Sequence, residues 1–342
     1  MKVFVFGAGA SKASQNPTTY GRGGADSAPL ADDLFSEQYQ GALMQGLTID
    51  INECRQQTTD KGVEEWLTEK WKSIESLTTE RARHAERSWF GHINLYLWNI
   101  LSKVSLTYPD AQGYSPLLRK LYDTDFGIIS FNYDTLLDQS YQDVFRTTLS
   151  HKNKYLDANF VKLHGSVNWF LRKRHGDNPL DFARHQNDTA TRLREIAENI
   201  YNGAPMTLDR LEIIDPKHSV LNNIGTVMSY FSMEGYFYPL MFMPLTGKDY
   251  GVVADFKDVM VAKAEEMLSE ASDVYFIGYR ASDDLIHDLL KQVPANTKLH
   301  VVGRDLGSIT NIFNSTSSRN PNLVQGTLYD AGFSSFIESY GE

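Results

Sequence analysis

The chain has 342 residues, 42% of them hydrophobic, which is enough for a large core and for either one elaborated α/β domain or a domain carrying an inserted module. A formal net charge of −10 argues against a broad nucleic-acid-binding face, and a single cysteine, Cys54, excludes an intrachain disulfide framework and a multi-cysteine zinc site. No segment approaches membrane-spanning length and the first residues lack the apolar core of a signal peptide, so a cytoplasmic protein is expected.

Lys2-Val3-Phe4-Val5-Phe6 reads as a buried strand, and Gly7-Ala8-Gly9-Ala10-Ser11 follows it at once. Glycines at the end of an inner parallel strand let backbone amides approach a pyrophosphate, which points to a dinucleotide; an ordinary tight strand-to-helix turn would have the same look. Lys12 stands where the dehydrogenase fingerprint asks for a third glycine. The stretch from Ser14 to Ala28, rich in Gly, Ser, Thr, Asn and Asp, reads as a loop that could close over a ligand, or as a surface excursion. Pro29-Leu30 then leads into a helix expected near Ala31 to Tyr39.

Between Val63 and Leu106, Trp89, Ile93, Leu97, Leu101 and Val104 recur at helical spacing, so Trp66, Trp71, Trp89 and Trp98 are read as packing within an inserted helical layer. Ser115-Pro116 begins a short helix ending near Tyr122. Short β-rich segments follow at Phe126 to Phe131, Phe160 to Leu163, Tyr238 to Met243, Val274 to Ile277 and Leu299 to Val302. Helices near Thr135 to Phe145, Ala254 to Ala271 and Asp283 to Lys291 alternate with them in the manner of βαβ crossovers. The pattern predicts an α/β, Rossmann-like fold: a mostly parallel sheet covered by helices on both faces, in one domain spanning 1–342. A helical insertion is expected at about 49–112 and a second insertion at about 169–237.

Ligands of such sheets sit beyond the carboxyl ends of the strands. Those ends read Gly7-Ala8-Gly9-Ala10-Ser11, Ser130-Phe131-Asn132-Tyr133-Asp134, Lys162-Leu163-His164-Gly165-Ser166 and Ile277-Gly278-Tyr279-Arg280. Read singly, Asn132 and Asp134 fit a strand-to-helix turn with Asp134 as the helix cap, and His164 fits a buried histidine bonded to backbone. Taken together, four polar strand ends suggest one crevice. The nine histidines show no metal-ligand pairing. The basic run Arg172-Lys173-Arg174-His175 reads as a solvated surface or as a contact for nucleic acid or an acidic partner.

In the order of these pieces the chain resembles the sirtuin family, and more closely its bacterial NAD-consuming branch found in anti-phage defence. The first turn looks like the sirtuin GAGxS turn, Asn132-Tyr133-Asp134 is similar to the family's Asn-x-Asp, His164-Gly165 to its His-Gly, and Gly278-Tyr279 to its later Gly-Thr/Tyr-Ser element. Pro239 to Pro244, with Lys248 close behind, resembles a strand of the defence branch. The classical deacylase stretch Gly-Ile-Pro-Asp-Phe-Arg and the four zinc cysteines are absent, and Arg280 replaces a ribose-binding serine.

The resemblance implies an NAD+ glycohydrolase that yields nicotinamide and ADP-ribose without a metal, acting as an NAD-depleting defence effector. Asn132 and His164 would be catalytic: the first orients water through its amide, and the second activates that water or a ribose hydroxyl. Gly7, Ala8, Gly9, Ser11, Gly278 and Tyr279 would bind NAD+, and Asp134 its nicotinamide carboxamide. Restraint by homo-oligomerisation or by a regulatory protein is expected, with neither membrane nor direct nucleic-acid binding. ADP-ribosyl transfer and non-catalytic sensing of NAD+ or ADP-ribose are the alternatives.

Overall fold

The computed structural model describes residues 1–14, 28–107, 113–173, 188–222, 226–227, 236–245 and 252–341. Most of the loop between Ser14 and Ala28, the pair Arg174-His175, and Lys248 lie outside them. The described strands are β1 (Lys2–Phe6), β2 (Phe126–Ser130), β3 (Phe160–Lys162), β4 (Gly165–Lys173), β5 (Leu211–Ile213), β6 (Tyr236–Met241), β7 (Asp273–Ile277), β8 (Thr297–Val302) and β9 (Leu323–Tyr329). The chain divides into two compact units, one formed by 1–23, 108–165 and 257–342, the other by 24–107 and 166–256.

The first unit is a six-stranded sheet in the order β3-β2-β1-β7-β8-β9, parallel at every pairing and flanked by helices. This is the α/β fold expected from the alternating pattern. β1 is central: Phe4 lies beside Ile128 of β2 and Tyr275 of β7. Val3, Phe4, Val5, Phe6, Ile128, Ile129, Val274 and Phe276 are all buried, as strands covered on both faces require. Strand order turns back on either side of β1, toward β2 and β3 on one flank and β7 to β9 on the other, so the topological switch point lies between β1 and β7.

The second unit holds the long helix Glu80–Thr107, the helices Ile51–Thr58, Val63–Glu75 and Thr189–Ile200, and a three-stranded sheet in the order β5-β4-β6. Its aromatic residues pack as read. Trp66 meets Trp89 edge-on at 5.7 Å, Trp71 meets Phe90 at 4.8 Å, and the fully buried Trp98 donates its indole N–H to the Val167 carbonyl at 2.7 Å.

Three expectations need correction. The Tyr238 to Met243 strand belongs to this second sheet and not to the parallel one, because an apolar run signals burial without naming the partner strand. Strands β4, β5 and β9 have no counterpart in the sequence reading; β9 has an exposed face and Gly326 at its centre. In place of the helix expected at Ala31 to Tyr39, two short 3-10 turns occupy Ala31–Asp33 and Glu37–Ala42.

Candidate functional site

The loops after β1 and β7 meet backbone on backbone. The Gly7 amide donates to the Ile277 carbonyl at 3.1 Å and the Gly9 amide to the Gly278 carbonyl at 3.0 Å. A Cβ on Gly7 would stand 2.7 Å from the Gly278 oxygen, and one on Gly9 2.9 Å from it. Gly278 itself has φ +58, and its own Cβ would run into the Ala10 nitrogen. These glycines therefore have a packing reason independent of any ligand. The Gly9 and Ala10 amides, two of those expected to cradle a pyrophosphate, are committed to Gly278 and Gly7 carbonyls.

β2 delivers Asn132 to the same place. Phe131 continues the ladder by donating to the Phe6 carbonyl at 2.9 Å, and Asn132 then turns inward, 4% exposed. Its Nδ2 donates to the Gly7 carbonyl at 3.1 Å and to Ser11 Oγ at 3.0 Å, while its Oδ1 is buried with no hydrogen-bond partner among the described residues. The Gly7 contact fixes the sense of the amide, since a carbonyl oxygen can only accept. Ser11 Oγ also pairs with the hydroxyl of Tyr114 at 2.9 Å, and both side chains are fully buried. Burial first, then the Asp134 charge, holds the Tyr114 hydroxyl well above its usual pKa.

Asp134 serves the turn. Its Oδ1 accepts the Leu136 amide at 3.1 Å, at the start of the helix Leu136–Phe145, but the N-cap of that helix is Thr135 and not the Asp134 expected from sequence, so Asp134 closes the turn from one residue further out. Burial raises the pKa of its carboxyl, opposed by the charge of Lys162 and by hydrogen bonds from Ser11 and the Leu136 amide. Lys162, on β3, is wholly buried; its Nζ donates to the Asp134 carbonyl at 2.6 Å and pairs with Asp138 Oδ2 at 2.9 Å. The Tyr155 hydroxyl donates to the other Asp138 oxygen at 2.6 Å. Sequence reading passed over this cluster. The signal was one lysine in the otherwise apolar run Phe160-Val161-Lys162-Leu163.

His164 follows β3. Its ring lies edge-on to Phe131 at 4.8 Å, and Phe131 in turn stacks on Tyr279 at 4.4 Å and 16°. The Phe131 ring thus ties the His164 loop to the Gly278-Tyr279 loop, and the adjacent Asn132 ties both to Gly7 and Ser11. Four of the predicted strand ends converge in one unit. His164 Nε2 lies 2.9 Å from Asp283 Oδ2, a partner that sequence reading had placed only as the start of a helix. Arg280 is exposed, and Ala8 half-buried.

No protein-family model matches this chain, and no curated protein does.

Proposed function

We propose that the chain is an NAD+ glycohydrolase of sirtuin-like character, cleaving the nicotinamide–ribose bond to give nicotinamide and ADP-ribose. The observation that carries the reading is the Asn132 amide: its N–H groups are spent on Gly7 and Ser11, which turns Oδ1 into a fixed acceptor with no partner among the described residues. In this reading a water that gives one of its hydrogens to Oδ1 keeps a lone pair for the anomeric carbon.

The step itself asks little of the protein. The N-glycosidic bond breaks with its electron pair going to the nicotinamide nitrogen, which leaves neutral; the water oxygen forms the new bond to the anomeric carbon; and one water proton passes to His164 or to solvent. Positive charge develops on the ribose ring in between, and the negative end of the Asn132 amide dipole at Oδ1 favours it. In this reading Gly7, Ala8, Gly9, Ser11, Gly278 and Tyr279 border the dinucleotide, and Asp134 faces the carboxamide. NAD+ is the substrate and needs no resident metal in this scheme. The biological counterpart is an NAD-depleting effector of anti-phage defence, cytoplasmic and restrained by self-association or by a regulatory protein.

The test is chromatography of NAD+ incubated with the full chain and with Asn132→Ala and His164→Ala. The expected result is nicotinamide and ADP-ribose from the parent protein and a loss on the order of 10²-fold or more in each variant. Binding of NAD+ without turnover in all three would overturn hydrolysis in favour of a sensor. Radiolabel from adenine-labelled NAD+ collecting on macromolecules would overturn it in favour of ADP-ribosyl transfer.

A further inference from the structure

We infer that Asp283 is the positioning residue of His164: it fixes the neutral imidazole as the Nε2–H tautomer, so that Nδ1 is the atom through which His164 accepts. The inference rests on the hydrolytic reading for its catalytic consequence, and on geometry alone for the tautomer.

The contact is short and buried. Nε2 and Oδ2 are 2.9 Å apart, and each residue is only 7% exposed. An ionised carboxylate has no proton to give, so the hydrogen between them is carried by Nε2 in the neutral ring. Whatever group Nδ1 meets, it then meets as an acceptor, the role that deprotonating a ribose hydroxyl or a water demands. The carboxylate cannot swing away at little cost. Its other oxygen, Oδ1, accepts the Leu285 amide at 3.0 Å as the cap of the helix Asp284–Leu289, so the two oxygens are divided between helix and histidine.

The loop that carries Asp283 is also held. Gly278 and Ala281 both take positive φ, +58 and +54, which folds the chain sharply back between β7 and the helix. His287 Nε2 lies 3.0 Å from the Ala281 carbonyl, a donor-to-acceptor contact that braces the turn from below. The Phe131 ring, near-perpendicular to the imidazole with centroids 4.8 Å apart, and the Tyr133 ring at 5.6 Å oppose its rotation. The imidazole is therefore aimed by one carboxylate and confined by two aromatic rings, an arrangement that presents a base rather than merely filling space.

Asp283→Asn separates positioning from folding. Asparagine keeps a side-chain oxygen for the Leu285 amide, and the atom left facing His164 becomes an NH2 donor. Facing a donor, Nε2 must accept, so the ring proton moves to Nδ1. Nitrogen-15 NMR of histidine-labelled full chain, with the His164 signals assigned by their loss in His164→Gln, is expected to show Nε2–H in the parent and Nδ1–H in Asp283→Asn. On NAD+, kcat is expected to fall about 10²- to 10⁴-fold with KM changed less than about 3-fold. Asp283→Ser, which also caps a helix and carries no charge, is the second variant should the first fail to fold, and is expected to lose the fixed Nε2–H state. An unchanged tautomer in a folded variant overturns the inference. A switched tautomer with full kcat overturns its catalytic part. If the parent protein leaves NAD+ intact, the hydrolytic reading fails by itself, and the NMR comparison still decides whether Asp283 sets the histidine.

Discussion

The Gly9 amide donates to the Gly278 carbonyl at 3.0 Å, so the loops that follow β1 and β7 touch through their main chains at the switch point of the sheet. Gly278 has two reasons to be glycine. Its φ of +58 costs an L side chain roughly 1–2 kcal/mol. Its Cβ would also lie 2.5 Å from the Gly9 carbonyl carbon and closer still to the Ala10 nitrogen, and backbone atoms held by β1 and β7 have nowhere to move. Gly278→Ala is expected to destabilise the chain by about 3 kcal/mol or more, read as a fall in the urea midpoint. A midpoint equal to the parent's would mean that the two loops are not packed as described.

Beneath the Asn132 turn, the buried Lys162–Asp138 pair gives a second prediction. Removing one member strands a charge in a fully buried site, which costs about 3–5 kcal/mol, whereas removing both relieves part of that penalty. Lys162→Met alone is expected to fall in that range, and the Lys162→Met, Asp138→Asn double variant to cost less than the sum of its singles by about 1–3 kcal/mol. Additivity to within about 0.5 kcal/mol would show that the two groups do not share their charge in the folded protein. Lys162 also carries the Asp134 carbonyl, so loss of NAD+ turnover in Lys162→Met should exceed what unfolding accounts for.

Acid should weaken the fold through histidines before it does so through carboxylates. His287 and His300 both have pKa values lowered from 6.5, each chiefly by burial; for His287 the Arg319 charge adds to this, and for His300 the Asp273 carboxylate opposes it. Below about pH 6.5 the unfolded chain binds protons that the folded chain refuses, so stability is complete above that value and declines as the pH falls. The Asp273 carboxyl has a lowered pKa, with hydrogen bonds from Ser272 and His300 outweighing the upward push of burial, so its contribution persists to below pH 3.8. Urea midpoints should fall between about pH 7.5 and about pH 5, with a shallower slope in His287→Gln and in His300→Gln. A slope identical in all three proteins would remove these histidines from the account.

Much of the first unit was legible because its signals are local. Four apolar residues before Gly7 specify an inner strand, and alternation of such runs with helices specifies parallel pairing. The strand-end residues Asn132 and His164 could be singled out because polar side chains directly after buried strands fall at one edge of the sheet. What escaped depends on contacts between distant positions. Asp283 reads as the start of a helix, which the structure shows it to cap, and nothing nearby says that its second oxygen reaches a histidine 119 positions earlier. The role of Gly7 and Gly9 was only half visible: their need for close approach is plain, but the approaching group is the Gly278 backbone, far along the chain. The strand Tyr236–Met241 was found and given the wrong sheet for the same reason.

Two glycines in the second unit make the same argument testable. Gly91 lies in the helix Glu80–Thr107, and a Cβ there would collide with the Ala197 carbonyl of the helix Thr189–Ile200; a Cβ on Gly41 would meet nothing within 4 Å. Helix propensity by itself makes glycine to alanine favourable by about 0.8–1.0 kcal/mol inside a helix, so Gly91 should be the better place to gain stability. Packing reverses that order. The collision is with main chain in a neighbouring helix whose Leu193, Ile196 and Ala197 are buried, so relief requires the two helices to separate. Gly91→Ala is expected to cost about 1–3 kcal/mol or more, and Gly41→Ala to lie within about 0.5 kcal/mol of the parent or slightly above it. Thermal and urea unfolding of the two variants measure this directly, and a stabilised Gly91→Ala would contradict the close helix crossing from which the second unit is assembled.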